Sequence, residues 1–180
     1  MIKTNRLFIR PLILEDYEDM LLYMSDPEVL KYEQMEAFDD NSLRKFIEDI
    51  IPTKNFFSVV FKESNEVIGH LYFGLNKPHQ FKEYNIGYIF NPAYQNKGFC
   101  TEASKALVTY AFTNWDCHRV IARCNPDNIP SWRVMEKIGL FKEGHHKKRV
   151  CFKYDDLNNP IWWDELVYGI SVEDWKENSG

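Results

Sequence analysis

The 180-residue sequence has no apolar run near the ~18 residues that span a bilayer, so no membrane helix is expected. Its first residues alternate in polarity and lack the apolar core of a secretory signal. It has no Cys-x-x-Cys pair, and its four cysteines (Cys100, Cys117, Cys124 and Cys151) read as reduced thiols of a cytoplasmic protein. No His/Cys/carboxylate cluster stands at metal-ligand spacing, so no metal is expected. Neither G-x-G-x-x-G nor a Walker-type lysine loop occurs. Basic charge is also scarce. Twenty-two Lys and Arg face 27 Asp and Glu, a net −5. That excess argues against nucleic acid and against an anionic membrane surface as partners. Aromatic residues are plentiful, with thirteen Phe, ten Tyr and five Trp, so the chain can bury a core.

The patterning predicts one mixed α/β domain over residues 1–180, in the order β-α-α-β-β-β-α-β-α-β-β. Residues 7–10 alternate as a strand, and apolar positions 14, 17, 21 and 24 form a helical stripe. A second stripe, 43 to 51, follows the cap candidates Asp39, Asp40 and Asn41. Residues 56–61 and 67–73 read as a hairpin, and 84–90 as a further strand. A helix begins near Phe99, a buried strand covers 120–124, and a short helix ends at Gly139. Residues 141–152 and 163–170 are the last two strands. No linker composition divides the chain.

The loop from Pro92 to Ala103 joins a strand to a helix. Unpaired amides and partial positive charge at a helix N-terminus bind phosphate. Gly98 lets backbone approach an anion closely. A plain strand-to-helix turn reads the same way. Charge is uneven as well. Residues 14–49 hold twelve acids and three bases, net −9, leaving +4 elsewhere. That asymmetry suits either a cationic ligand or ordinary solvated helix faces.

Gln95-x-x-Gly98-x-Cys100 resembles the Q/R-x-x-G-x-G/A signature of the GNAT superfamily of acetyl-CoA-dependent N-acetyltransferases. Ile86-Gly87-Tyr88 through Thr101-Glu102-Ala103, His118-Arg119-Val120, the block from Asn128 and Ser131 through Glu136-Lys137-x-Gly139, and Trp163-Asp164 with Tyr168 resemble its RimJ/RimL-like subgroup. The likeness runs from Thr4 to Trp175. It implies a single-domain GNAT-like fold, with a mixed, largely antiparallel central sheet and helices on both faces. It implies acetyl-CoA as cosubstrate. It assigns coenzyme contacts to Ile89, Phe90, Gln95, Asn96, Lys97, Gly98, Phe99, Cys100, Thr101, Asn128 and Lys137. A backbone amide at Ile89 or Phe90 would polarise the thioester carbonyl. Transfer to a primary amine, a peptide N-terminus or a small cationic amine, would follow by direct attack in a ternary complex. Monomer and homodimer both stay open.

The sequence departs from the family at three places. Cys100 stands where Gly or Ala is usual, either as a tolerated small side chain or as a reactive thiol at a helix start. Asn85 stands where many relatives carry a basic Glu; Glu83, on the same strand face, is a base candidate or a solvated strand-end residue. Met135 stands where many members have an acidic Tyr; Ser131 is then the candidate acid, or a first-turn serine bonded to backbone. Asn128 is a pantetheine contact or a helix cap. Glu83, Asn85 and Ser131 are thus the catalytic candidates. The departures also admit a second reading, an acyl-CoA-binding regulatory module with impaired catalysis.

Overall fold

The structure, a computed structural model, describes residues 1–178. It contains β1 (Ile2–Lys3), β2 (Leu7–Pro11), α1 (Tyr17–Met24), α2 (Asp40–Ile50), β3 (Phe56–Phe61), β4 (Val67–Leu75), β5 (Glu83–Phe90), α3 (Phe99–Asn114), β6 (Arg119–Cys124), α4 (Ile129–Lys137), β7 (Phe141–Tyr154), β8 (Pro160–Ser171) and α5 (Val172–Asn178). All eight strands form one sheet in the order β1-β2-β3-β4-β5-β6-β8-β7. Every neighbouring pair is antiparallel except β5 with β6. The expected mixed, largely antiparallel sheet is therefore present.

Side-chain alternation sorts the two faces. Leu7 and Ile9 of β2 join Ile86 and Phe90 of β5 beneath α3, where Ala103, Leu107 and Ala111 are fully buried. Phe8, Leu12 and Ile89 turn the other way, toward α1 and α2, and pack with Met20, Tyr23, Leu43 and Ile47. Helices thus cover both faces. Burying one such leucine contributes about 1.5–3 kcal/mol.

Helix ends follow local chemistry. Asp39 caps α2, accepting from Ser42 N at 2.8 Å. Gly139, with φ +95°, follows α4 as expected. Two elements lie outside the sequence reading: the two-residue β1 and the terminal α5. The latter starts where Ser171 Oγ accepts from Asp174 N at 3.1 Å, an N-terminal capping pattern. No helix of the described residues is long and apolar enough to cross a membrane.

The functional consequence lies at the parallel pair. β5 and β6 are in register only at Glu83–Arg119, Tyr84–Val120 and Asn85–Ile121. From Ile86 onward the strands part, while β6 stays paired to β8 along its whole length. A V-shaped opening is left in the middle of the sheet.

Candidate active site

Glu83 and Arg119 close the narrow end of the V, with Arg119 Nε 3.3 Å from Glu83 Oε2. Arg119 also pairs with Glu143, and Glu83 Oε1 accepts from Asn76 Nδ2 at 2.9 Å. Glu83 is occupied structurally and is not among the residues lining the cavity. The structure does not bring this base candidate to the site.

The backbone of β5 supplies the open edge. At its ends, Asn91 N bonds Ile68 O and Asn76 N bonds Glu83 O. Antiparallel alternation from those ends turns the amide of Ile89 toward β4 and those of Tyr88 and Phe90 into the opening. Of the two amides expected to polarise a carbonyl, Phe90 is free and Ile89 is committed to the sheet. Gln95 Nε2 donates to Phe90 O at 2.9 Å and holds this strand end.

The loop after β5 is shaped for an anion. Asn96 and Gly98 both adopt left-handed backbone, φ +57° and +80°, on either side of Lys97. A Cβ on Gly98 would meet only Arg6 Nη2 at 3.6 Å, so the constraint there is φ and not space. The first bond of α3 runs from Glu102 N to Gly98 O at 3.0 Å. The amides of Phe99, Cys100 and Thr101 therefore have no partner inside the helix. The N-cap carries no side-chain bond. Such a concavity of amides at a helix start receives phosphate.

The N-terminal segment holds the loop. Arg6 Nε meets Glu102 Oε2 at 2.7 Å, Arg6 Nη1 donates to Lys97 O at 3.1 Å, and the guanidinium lies 4.2 Å from the Phe99 ring centre. The Phe99 side chain is core and only its amide faces the loop. Lys97 Nζ donates to Ala93 O at 2.9 Å. Lys137 is exposed in the last turn of α4, where a cation complements the helix dipole, and is not drawn into the cavity.

A cavity of about 360 Å³ runs through the V. Tyr88, Cys124, Asn128 and Met135 line one end, and Glu33, Phe46, Phe56, His70, Tyr72 and Asn85 the other. Asn128 begins α4 without a side-chain cap bond, so its amide group is available to a ligand. Ser131 is not itself a lining residue but touches one: its Oγ donates to Tyr88 Oη at 3.4 Å, and Tyr88 Oη donates to Ser131 O at 2.7 Å. Burial pushes the Tyr88 phenol well up, so it remains a proton donor. Met135 is buried and has no proton to give.

The Cys100 thiol is pushed up to about 12 by desolvation, against a weaker opposing bond with Ser104. It is not the activated thiol that a helix start can produce. Cys124, pushed up to about 11 by burial, is equally inert.

Three polar groups at the other end face the cavity. The Asn85 Oδ1 is buried and has no hydrogen-bond donor. His70, whose ring stacks on Tyr23 with Nδ1 3.0 Å from Tyr23 Oη, is lowered to about 4 by burial and is neutral. Glu33, in the segment between α1 and α2, has its carboxyl raised by desolvation and makes no side-chain bond or ion pair among the described residues. Sequence reasoning counted Glu33 among the acids but did not single it out. No local pattern marks it, because its 25–39 segment is irregular. Of the twelve acids between residues 14 and 49, Glu33 is the one that lines the cavity. The −9 of that segment is mostly solvated surface, shared between helix faces and the irregular 25–39 stretch. No group of three His, Cys, Asp or Glu that could hold a metal ion exists among the described residues.

An eight-stranded sheet split at its parallel pair, with an amide-lined loop between β5 and α3, defines a coenzyme A-dependent acyltransferase architecture. The acetyltransferase (GNAT) domain model matches residues 6–140. The chain belongs to this family, whose acetyl donor is acetyl-CoA, and is an N-acetyltransferase. An uncharacterized N-acetyltransferase, YnaD of Bacillus subtilis strain 168, is 38% identical over 179 residues, covering 97% of this chain and 98% of its own. A GNAT-family acetyltransferase structure from Bacillus anthracis superposes with a TM-score of 0.86 at 38% identity, covering 96% of this chain and 98% of that one. More distant is the ribosomal protein uS5-alanine N-acetyltransferase of Escherichia coli, 26% identical over 67% of this chain and 59% of its own.

Proposed function

We propose that the protein transfers the acetyl group of acetyl-CoA to a primary amine, a peptide N-terminus or a small cationic amine, by direct attack in a ternary complex. The observation that carries this reading is a cavity lined from both sides of the split sheet. A thioester reaching in along β5 from the loop side would meet an amine entering past Glu33.

The residues divide the work. The amides of the 96–101 loop hold the pyrophosphate, and Asn128 with the open β5 edge aligns the pantetheine arm. The Phe90 amide donates to the carbonyl oxygen as negative charge grows there. Glu33 takes a proton from the incoming ammonium, a task suited to a carboxylate whose proton affinity burial has increased. The C–N bond forms as the C–S bond breaks. The nitrogen gives up two protons; one ends on the coenzyme thiol, aided by Ser131, and one reaches solvent. Asn85, lacking a basic site, accepts an N–H of the amine at Oδ1. The distant likeness to an alanine N-acetyltransferase supports a RimJ/RimL-like placement and keeps protein N-termini among the acceptors. The four free thiols suit the reducing cytoplasm.

The test is coenzyme thiol release from acetyl-CoA over amines of both kinds. Turnover with at least one amine class supports the reading. Coenzyme binding without turnover on any of them would instead mark a non-catalytic acyl-CoA module.

A further inference from the structure

Resting on the reading that this cavity receives an amine, we propose that the preferred acceptor is a primary monoamine bearing an aromatic or similarly flat apolar group. Its ammonium sits at Glu33 and Asn85, and its ring between two aromatic walls.

The charge count within the cavity carries the first half. Three carboxylates line it: Glu33, Asp164 and Glu165. Asp164 is engaged, accepting from Lys148 N at 2.9 Å and pairing with His145 Nε2 at 2.7 Å. Glu165 lies 3.8 Å from Arg123 Nε and 3.7 Å from His146 Nδ1. Glu33 alone has no partner among the described residues, and Asn85 Oδ1 is a second, uncharged acceptor with its bond unmade. An unmade buried acceptor is costly, and an N–H donor from a ligand relieves that cost. One charge and one neutral acceptor match one ammonium. A linear polyamine would bring further charges to a cavity with no second free anion.

The walls carry the second half. Phe46, Phe56 and Tyr72 form a continuous edge-to-face series, with ring centres 6.3 Å and 5.2 Å apart. Across the split between β5 and β6, Trp163 of β8 meets Tyr32 and Phe152 at 6.3 Å and 6.0 Å. Faces and edges of this kind suit a ring entering between them. The hydroxyl end of Tyr72 lies over Gly74, where a Cβ would collide with it, so the shape of that wall depends on Gly74. The rings can also attract a second cation through their faces, which makes a polyamine the proper competitor.

Calorimetry on the coenzyme A-loaded protein tests this apart from turnover. The probes are 2-phenylethylamine, spermidine and the neutral 2-phenylethanol, with tripeptides beginning in Phe and in Ala to separate a free amine from a protein N-terminus. The aromatic amine, free or as N-terminal Phe, should bind at least about tenfold more tightly than spermidine, the Ala peptide or the alcohol. Glu33→Gln should erase about tenfold for the amine and leave the alcohol unchanged. Gly74→Ala, which displaces Tyr72, should weaken amine and alcohol alike. Spermidine binding as well as the aromatic amine, or a Glu33→Gln variant indifferent to charge, would overturn the proposal. Acetylation of spermidine in preference to aromatic amines would also overturn it while upholding acetyl transfer. The expected binding order with no thiol release would uphold this recognition and overturn acetyl transfer.

Discussion

Arg6 Nε lies 2.7 Å from Glu102 Oε2, and this contact ties the start of β2 to the first turn of α3. Thr4 Oγ1 and Arg6 N donate to Glu102 Oε1 at 2.6 Å and 3.0 Å. Three donors on one carboxylate fix the helix whose N-terminus would face the coenzyme. Burial raises the Glu102 carboxyl, but the bonds from Thr4 and Arg6 together outweigh it and leave it lowered. Glu102→Ala should cost about 1–2 kcal/mol of stability and weaken coenzyme A severalfold, read by thermal melting and calorimetry. Because the folded carboxyl is lowered, this contribution is present above the ordinary carboxyl range and disappears as pH falls through the lowered value. The melting-temperature difference between parent and variant should shrink on acidification.

Gly98 takes φ +80° at the mouth of the loop. Gly98→Asp combines an unfavourable left-handed backbone with a carboxylate against the bound pyrophosphate. Coenzyme A affinity should fall more than tenfold, over ~1.4 kcal/mol. Gly98→Ala keeps only the backbone cost and should fall between parent and Asp variant in the same titration.

Glu33 trades stability for function. Desolvation raises its carboxyl, so the folded state prefers it protonated, and the stabilising contribution present at low pH is lost as pH rises through the raised value. At neutral pH the ionised side chain is therefore a net cost. Glu33→Gln should raise the melting temperature by about 2 °C and lower kcat/KM at least about tenfold. The parent's kcat/KM should decline as pH falls through that raised value, a limb the variant lacks.

Ser131 reaches Tyr88 and not a backbone carbonyl. Ser131→Ala should lower kcat about tenfold while coenzyme A affinity stays the same. The comparison of turnover with calorimetry separates assistance to the leaving thiol from coenzyme binding.

Features set by short-range chemistry were legible in the sequence. Gly98 opens α3, Gly139 closes α4, and the Glu63–Glu66 turn joins β3 to β4 because turn and cap residues act over three or four positions. The capping pattern at Ser171 and Asp174 is equally local, yet α5 lies outside the sequence reading. The parting of β5 from β6 was not legible, since pairing between strands 36 residues apart in register leaves no periodic trace. Nor was the diversion of Glu83 to Arg119, or the choice of Phe90 over Ile89, which depends on which strand edge each amide faces. The charge asymmetry of residues 14–49 does not by itself pick out a cavity residue: eleven of the twelve acids lie outside the cavity, and Glu33 enters it from an irregular segment.

The most direct measurement is a coenzyme thiol-release assay with acetyl-CoA, run with and without primary amines and paired with mass spectrometry of the amine. Amine-dependent thiol release and one added acetyl group on the amine are expected, both lost in Gly98→Asp and sharply reduced in Glu33→Gln. Thiol release unaffected by amine, or transfer undiminished in Glu33→Gln, would contradict this expectation.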